Sequence, residues 1–202
     1  MKRPLNHPPS AALSERQRSR LEAFAELVRL WSSKINLVAP GDLASLWPRH
    51  VLDSAQLLPL VPPSARVLAD LGSGAGFPGL VLAILTDLPT HLVERNRKKA
   101  AFLREAARRL KAPVTVLAAD AASLPPLMAD VVTARALAPL PALLPLVVRH
   151  LSPQGIALLP KGRLADRELT EAARFWTMRV ERLPSQTDPS ATILRLSEVL
   201  RA

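Results

Sequence analysis

The stretch Asp70-Leu-Gly-Ser-Gly-Ala-Gly-Phe-Pro-Gly79 places a carboxylate just ahead of a run of glycines. It follows the apolar run Ala65-Arg-Val-Leu-Ala69 and precedes Leu80-Val-Leu-Ala-Ile-Leu85, an order that predicts strand, loop and helix. Glycine has no Cβ and tolerates positive φ, so such a loop lets a ligand approach the backbone closely. The helix N-terminus then lies beside that ligand. Asp70 sits two residues before the first glycine. A carboxylate there suits a ligand carrying positive charge, such as the sulfonium and α-amino group of S-adenosylmethionine, better than one carrying only phosphate. The spacing alone leaves two readings open. Gly72, Gly74 and Gly76 give G-x-G-x-G, a methyltransferase pattern, while Gly74, Gly76 and Gly79 satisfy the dinucleotide pattern G-x-G-x-x-G. Glu94 ends the next apolar stretch and would hold ribose hydroxyls under either reading.

Further candidates follow later strands. Asp120-Ala-Ala122 trails the third predicted strand. Asp120 there either accepts from an adenine amine or caps a turn, and Ala121 and Ala122 offer backbone. Arg135, in Thr133-Ala-Arg135-Ala136, falls where a reacting group would sit and could hold a cofactor carboxylate or a substrate phosphate. Lys161-Gly162 trails the fifth predicted strand, where the lysine is either a point charge for RNA phosphate or a simple strand-end residue. His50 and Asp53 form one rim of the site or a pair that fixes helix packing. Arg135 and Lys161 are the residues assigned to catalysis. What is missing narrows the chemistry. The chain has no cysteine, so covalent methylation at a pyrimidine C5 is closed. No Asn or Asp precedes a Pro-Pro-aromatic unit after the fourth strand, so the usual amino-group methylation motif is absent. A ring nitrogen such as guanine N7 brings its own lone pair and needs no general base, and catalysis there rests on proximity and orientation.

The elements that position these residues follow from periodicity. Residues 1–13, with Pro4, Pro8 and Pro9, read as a disordered lead, and 14–61 as a helical cap. Ser14 and Gln17 form a capping-box pattern ahead of an amphipathic helix ending near residue 33, and a second helical piece spans about 42–59. From 62 to 202 strands and helices alternate. Strands are expected near 66–70, 90–94, 114–118, 129–133 and 155–160, and helices near 77–86, 97–110, 138–150 and 164–174. A final strand pair is expected at 179–183 and 192–196. This is an α/β chain, Rossmann-like, with a doubly wound, mostly parallel sheet and an antiparallel C-terminal edge.

The 202 residues carry a net charge of +10, which points to a polyanionic partner. The charge clusters between Arg95 and Lys111, where Glu105 alone opposes it. Arg97, Lys98, Arg104 and Arg108, with Lys161, are therefore expected to bind RNA. Three Trp, four Phe and no Tyr mark no base-stacking platform. No apolar run is long enough to cross a bilayer, the N-terminus lacks the apolar core of a signal peptide, and the four histidines show no metal-ligand spacing. A cytoplasmic monomer without metal or membrane contact is expected.

Several motifs together carry a resemblance. They are Asp70–Gly79 with its Gly76-Phe-Pro-Gly79 ending, Val93-Glu94-Arg-Asn-Arg-Lys98-Lys99, Phe102-Leu103, Asp130-Val-Val-Thr-Ala-Arg135-Ala136 and Pro160-Lys161-Gly162. Trp31, Ile35-Asn36-Leu37 and His50-Val-Leu-Asp53-Ser54 join them in the cap. Over roughly residues 31–162, and in the same order, the chain resembles the bacterial small-subunit ribosomal RNA guanine-N7 methyltransferases, also called glucose-inhibited division protein B. The resemblance implies a class I S-adenosylmethionine-dependent methyltransferase fold and methyl transfer to N7 of one guanine in 16S rRNA, free or in the 30S subunit. It implies that Gly72 and Phe77 contact the cofactor, that Ala121 and Ala122 line the adenine by backbone, and that Arg135 lies at the junction of cofactor and substrate. The cofactor set is then Asp70, Gly72, Gly74, Gly76, Phe77, Glu94, Asp120, Ala121, Ala122 and Arg135. The chain departs from the family where Arg-x-Glu is usual and Asp120-Ala121-Ala122 stands instead. Two alternatives accompany this reading: a nucleotide-dependent oxidoreductase, from the overlapping glycine pattern, and a non-catalytic RNA-binding assembly factor that keeps the cofactor loop.

Overall fold

A computed structural model describes residues 13–202, and most of the expected disordered lead lies outside the described residues. Helix α1 (Glu15–Ser32) starts where the sequence places it. Ser14 Oγ accepts from the Gln17 backbone N–H while Gln17 Oε1 accepts from the Ser14 N–H, so both halves of the capping box form. The second helical piece is a correction. It is not one helix but a chain of short turns, Pro40–Asp42, a widened π-helical turn Trp47–Leu52, α2 (Asp53–Ala55) and Leu58–Leu60. Prolines at 40, 48 and 59 lack the N–H that a continuing helix needs, so each begins a new turn. The wide turn leaves the Arg49 carbonyl, the His50 ring and the Asp53 carboxylate all within reach of one guanidinium, that of Arg135.

The remainder alternates as expected: β1 (Leu68–Leu71), α3 (Gly79–Thr86), β2 (Thr90–Val93), α4 (Arg97–Leu110), β3 (Val114–Leu117), β4 (Ala129–Thr133), α5 (Leu140–His150), β5 (Leu151–Lys161), α6 (Ala165–Ala172), β6 (Trp176–Pro184) and β7 (Thr192–Arg201). Strands β6 and β7 run longer than their apolar cores suggest, because their mutual pairing continues into polar sequence from Pro184↔Thr192 to Trp176↔Arg201, and β5 starts early at Leu151, which pairs with Ala129 of β4. The sheet order is β3-β2-β1-β4-β5-β7-β6, with β1 to β5 parallel and β7 antiparallel to both neighbours.

Side chains alternate across this sheet, and that fixes the layers. Ile156 and Leu158 pack with Leu57, Leu68, Leu82 and Val131 on the face carrying α3 and the cap. Ala157 and Leu159 pack against Leu140, Leu143, Leu144 and Val147 of α5 on the other. Helix α1 shares a core with α3 and α4 through Leu21, Phe24, Val28, Leu80, Ile84, Phe102 and Leu103. Arg20 adds polar ties, donating to Ile84 O at 2.9 Å and Leu110 O at 3.3 Å, at the C-terminal ends of α3 and α4. A cation there satisfies carbonyls left free at helix ends and meets their negative dipole.

The same alternation puts Asp70 and Thr133 on one face, and they are direct partners in the β1–β4 register. Thr133 Oγ1 donates to Asp70 Oδ1 at 2.7 Å. Gly79, at the start of α3, closes over the carboxylate: a Cβ there would lie 2.4 Å from Asp70 Cβ and 2.6 Å from Oδ2. Only 1% of Asp70 is exposed. Burial raises its pKa to about 6, against the hydrogen bond from Thr133. An acid raised this way keeps its proton in the folded state between about pH 4 and 6 while the unfolded chain loses it. Stability from this group is therefore present below about pH 4 and lost as pH rises through about 6, a change of about 3 kcal/mol. The difference in urea-unfolding free energy between wild type and Asp70→Asn should shift by this order across that window, wild type weakening relative to the variant as pH rises. A difference that stays flat with pH contradicts this.

Candidate active site

The glycine loop is ordered by its own backbone bonds. Gly72, Gly74 and Gly76 take φ of +70°, +55° and +94°, which side-chain-bearing residues rarely adopt. The N–H groups of Gly72 and Ser73 donate to Val93 O at 2.9 and 3.0 Å, and that of Gly76 to Ser73 O at 2.7 Å. The Gly74 N–H donates to Glu94 Oε2 at 2.8 Å. Dinucleotide loops leave such N–H groups facing a pyrophosphate. Here they are spent inside the protein, one of them on a carboxylate, so the loop presents acidic rather than anion-binding character. Asp70 supports this loop from beneath and does not line its opening. Glu94 stands at the end of β2, where the sequence places it, and its other oxygen accepts from the Asn96 N–H at 2.7 Å.

Asp120 takes the turn-capping option. Its side chain accepts from the Ala122 N–H at 2.9 Å at the head of the turn Ala121–Ser123. Sequence reasoning passes over the residue that holds this turn: His150, fully buried, donates from Nε2 to Ala121 O at 2.9 Å. Burial keeps its pKa below the ordinary histidine range, so the ring is neutral. Its only signal in the sequence is a histidine closing an apolar helix.

Arg135 is where the pieces meet. Nη1 donates to Asp53 Oδ2 at 3.0 Å and Nη2 to His50 Nδ1 at 2.8 Å. The guanidinium carbon lies 5.5 Å from the centre of the Phe77 ring, and the His50 ring lies 5.2 Å from the same centre. Arginine is always a donor, so His50 Nδ1 accepts. Burial first, and then the charge of Arg135, hold His50 below its usual pKa. His50 and Asp53 thus do not pair with each other. They take the rim position by fixing Arg135, and the paired alternative does not form.

Lys161 departs from expectation. Its Nζ donates to Ala138 O at 2.9 Å and pairs with Glu168 Oε2 at 2.9 Å, with 9% of the side chain exposed. Glu168 Oε2 also accepts from the Leu140 N–H at 2.7 Å. The ammonium is therefore committed to holding the 134–139 loop and is not a free charge for phosphate. That loop lays Leu137 over Gly72: a Cβ on Gly72 would lie 2.7 Å from Leu137 Cδ1.

On α4 the apolar face Ala100, Leu103, Ala107 and Leu110 is buried as expected, joined by Phe102 and Ala106. Arg97, Lys98, Arg104 and Arg108 are exposed. Arg97 and Lys98 open the helix just after Glu94, at the mouth of the loop. Arg108 is partly spent: it forms a two-pronged pair with Glu105 at 3.0 Å per bond, and Arg109 shares the same carboxylate.

Comparison with known proteins agrees with this geometry. The family model for rRNA small subunit methyltransferase G matches residues 17–192. The Ribosomal RNA small subunit methyltransferase G of Rhodospirillum centenum is 59% identical over 182 residues, covering 89% of this chain and 83% of the relative. That of Paramagnetospirillum magneticum is 50% identical over 191 residues, covering 95% and 93%. Among solved structures, M. jannaschii TYW2 in complex with AdoMet superposes with a TM-score of 0.59 at 15% identity, covering 84% of this chain and 80% of that one. The ribosomal protein L11 methylase of Lactobacillus delbrueckii subsp. bulgaricus gives 0.59 at 15% identity, covering 74% and 78%. Those two likenesses are of fold, the class I methyltransferase fold, and the sequence match goes further: the chain belongs to the rRNA small subunit methyltransferase G family.

Proposed function

We propose that this protein transfers a methyl group from S-adenosylmethionine to N7 of a guanine in 16S ribosomal RNA. The observation that carries the reading is the glycine loop, where the N–H groups of Gly72, Ser73, Gly74 and Gly76 are occupied within the protein and the Glu94 carboxylate stands beside them. That environment fits a cationic, phosphate-free ligand and disfavours the dinucleotide alternative. Family membership disfavours the non-catalytic assembly factor.

The residues present fit the cofactor. Glu94 has one N–H on each oxygen, and a carboxylate oxygen takes a second donor readily, so it can receive ribose hydroxyls. Gly72, Gly74, Gly76 and Phe77 would shape the backbone side. Asp120, Ala121 and Ala122 would border the adenine, with Asp120 standing in for the family's Arg-x-Glu. When bound, S-adenosylmethionine supplies an electrophilic methyl on sulfur, which guanine N7 can accept without losing a proton first. The chain's own task is orientation. Arg135, tethered by Asp53, His50 and the Arg49 carbonyl and stacked on Phe77, sits between the loop and the cavity beyond it, with two donor N–H groups besides the three used there. Lys161 acts through the 134–139 loop as a positioning residue. Arg97, Lys98, Arg104 and Arg108 would contact RNA phosphates. The protein acts as a monomer in the cytoplasm and takes its substrate as 16S rRNA or the 30S subunit.

Radiolabelled methyl from S-adenosylmethionine should appear as 7-methylguanosine in small subunits from cells lacking this protein. Label in another nucleoside, or none, contradicts the proposal. Gly74→Val should weaken S-adenosylmethionine binding in calorimetry, because a β-branched residue at φ +55° costs about 1–3 kcal/mol of strain within the loop. Unchanged affinity would place the cofactor elsewhere. Joint replacement of Arg97 and Lys98 by Ala should lower the slope of log affinity against log salt for rRNA by about 2, one for each phosphate no longer neutralised. An unaltered slope removes the start of α4 from the interface.

A further inference from the structure

We propose that a cavity of about 850 Å³ at the carboxyl ends of β4 and β5 seats the target nucleotide, with the loop between β6 and β7 as its outer wall. This rests on the rRNA methyltransferase reading and assigns its acceptor side.

The topology divides the site. In an open parallel sheet ligands bind beyond the carboxyl ends of the strands, where the strand order reverses. Here that point lies between β1 and β4. The glycine loop, Glu94 and Asp120 follow β1, β2 and β3 and occupy one side. The cavity lies on the other, bordered by residues 135–139 after β4, by 160–162 at the end of β5, and by the start of β7, where Thr192 pairs with Lys161. Arg135 lines the cavity and also stacks on Phe77 of the glycine loop, so a base held there meets the cofactor half at Arg135.

The wall is a built structure. Gln56, 3% exposed, accepts from the Gln186 N–H at 2.7 Å and donates to Ser185 Oγ at 3.2 Å and Asp53 Oδ1 at 2.7 Å. Thr187 Oγ1 donates to the same Asp53 oxygen at 2.7 Å. The other oxygen of Asp53 takes Arg135. One carboxylate therefore joins the wall to the residue at the reaction centre. The mouth is cationic. Arg49 lines the cavity and Arg163 follows Gly162 of its lining; hydrogen bonds from Ser190, followed by the charges of Arg163 and Arg49, hold the Asp188 carboxyl below its usual range. Arg163 is exposed and pairs with no carboxylate among the described residues, and Arg49 is largely exposed despite its bond to Asp42. Two cations at the rim of a polar cavity with apolar patches at Pro139, Pro160 and Ile193 fit a nucleotide swung out of its stack, its flanking phosphates on the rim.

Because the chain has no cysteine, single cysteines report on this cavity alone. Ala191→Cys and Asp188→Cys sit in the wall, and Arg201→Cys at the far end of β7 is the control. Alkylation by N-ethylmaleimide should slow several-fold at both wall positions when unmodified small-subunit rRNA is added, with no change at the control. S-adenosylmethionine alone should not slow it. Thr187→Val should raise KM for rRNA while leaving S-adenosylmethionine affinity unchanged. Methyl transfer by the wild type without protection of either wall cysteine overturns the cavity assignment and spares the enzymatic reading. Protection without methyl transfer does the reverse. Protection by S-adenosylmethionine alone would give the cavity to the cofactor, and rRNA that does not bind at all overturns both.

Discussion

The site depends on where one guanidinium is held. Arg135 leaves the end of β4 and is taken up by three acceptors from the cap, His50 Nδ1, Asp53 Oδ2 and the Arg49 carbonyl, while its face rests near Phe77. Three segments far apart in sequence, the broken helical cap, the glycine loop and the β4 exit, are tied at that point. A planar fork with fixed donor directions can do this, whereas a point charge on a flexible stem cannot. The interruptions in the cap gain a purpose here: a continuous helix would separate the His50 and Asp53 groups differently, and the wide π-turn leaves both reaching the same fork.

Electrostatics separate the two halves of the crevice. On the β1–β3 side the loop's N–H groups go to the Val93 and Ser73 carbonyls and to the Glu94 carboxylate, leaving a surface suited to positive charge. On the β4–β5 side Arg135 is partly neutralised by Asp53, and the exposed cations Arg49 and Arg163 act on Asp188 at the rim. In the proposed assignment a cation-bearing donor and a polyanionic acceptor would thus each meet the side of complementary polarity. Lys161, buried against Ala138 O and Glu168, serves this arrangement by fixing the loop that carries Leu137 over Gly72.

Much of this is legible in the sequence because it follows from local rules. The capping box at Ser14, the span of α4 and the strand–loop–helix around Gly72 are dictated by short-range patterns, and all appear in the structure. The second part of the cap reads as one helix because its apolar spacing is helical, yet its prolines interrupt the backbone bonds that spacing cannot report. The roles of Lys161 and His150 are hidden for another reason. Each depends on a partner that only the tertiary fold supplies, Glu168 and the Ala121 carbonyl. Gln56 and Thr187 lie 131 residues apart, and nothing in either segment announces the other.

The central claim is that Arg135 works as a fork joining cap and loop, not as a charge alone. Single-turnover methyl transfer to unmodified small subunits by Arg135→Lys, at saturating S-adenosylmethionine, tests it. Lysine keeps the charge but cannot hold His50 and Asp53 in the same geometry. The rate should fall by about ten- to a hundredfold, the scale on which a misplacement near 1 Å acts, while the protein stays folded and still binds S-adenosylmethionine. A rate equal to wild type would contradict the account.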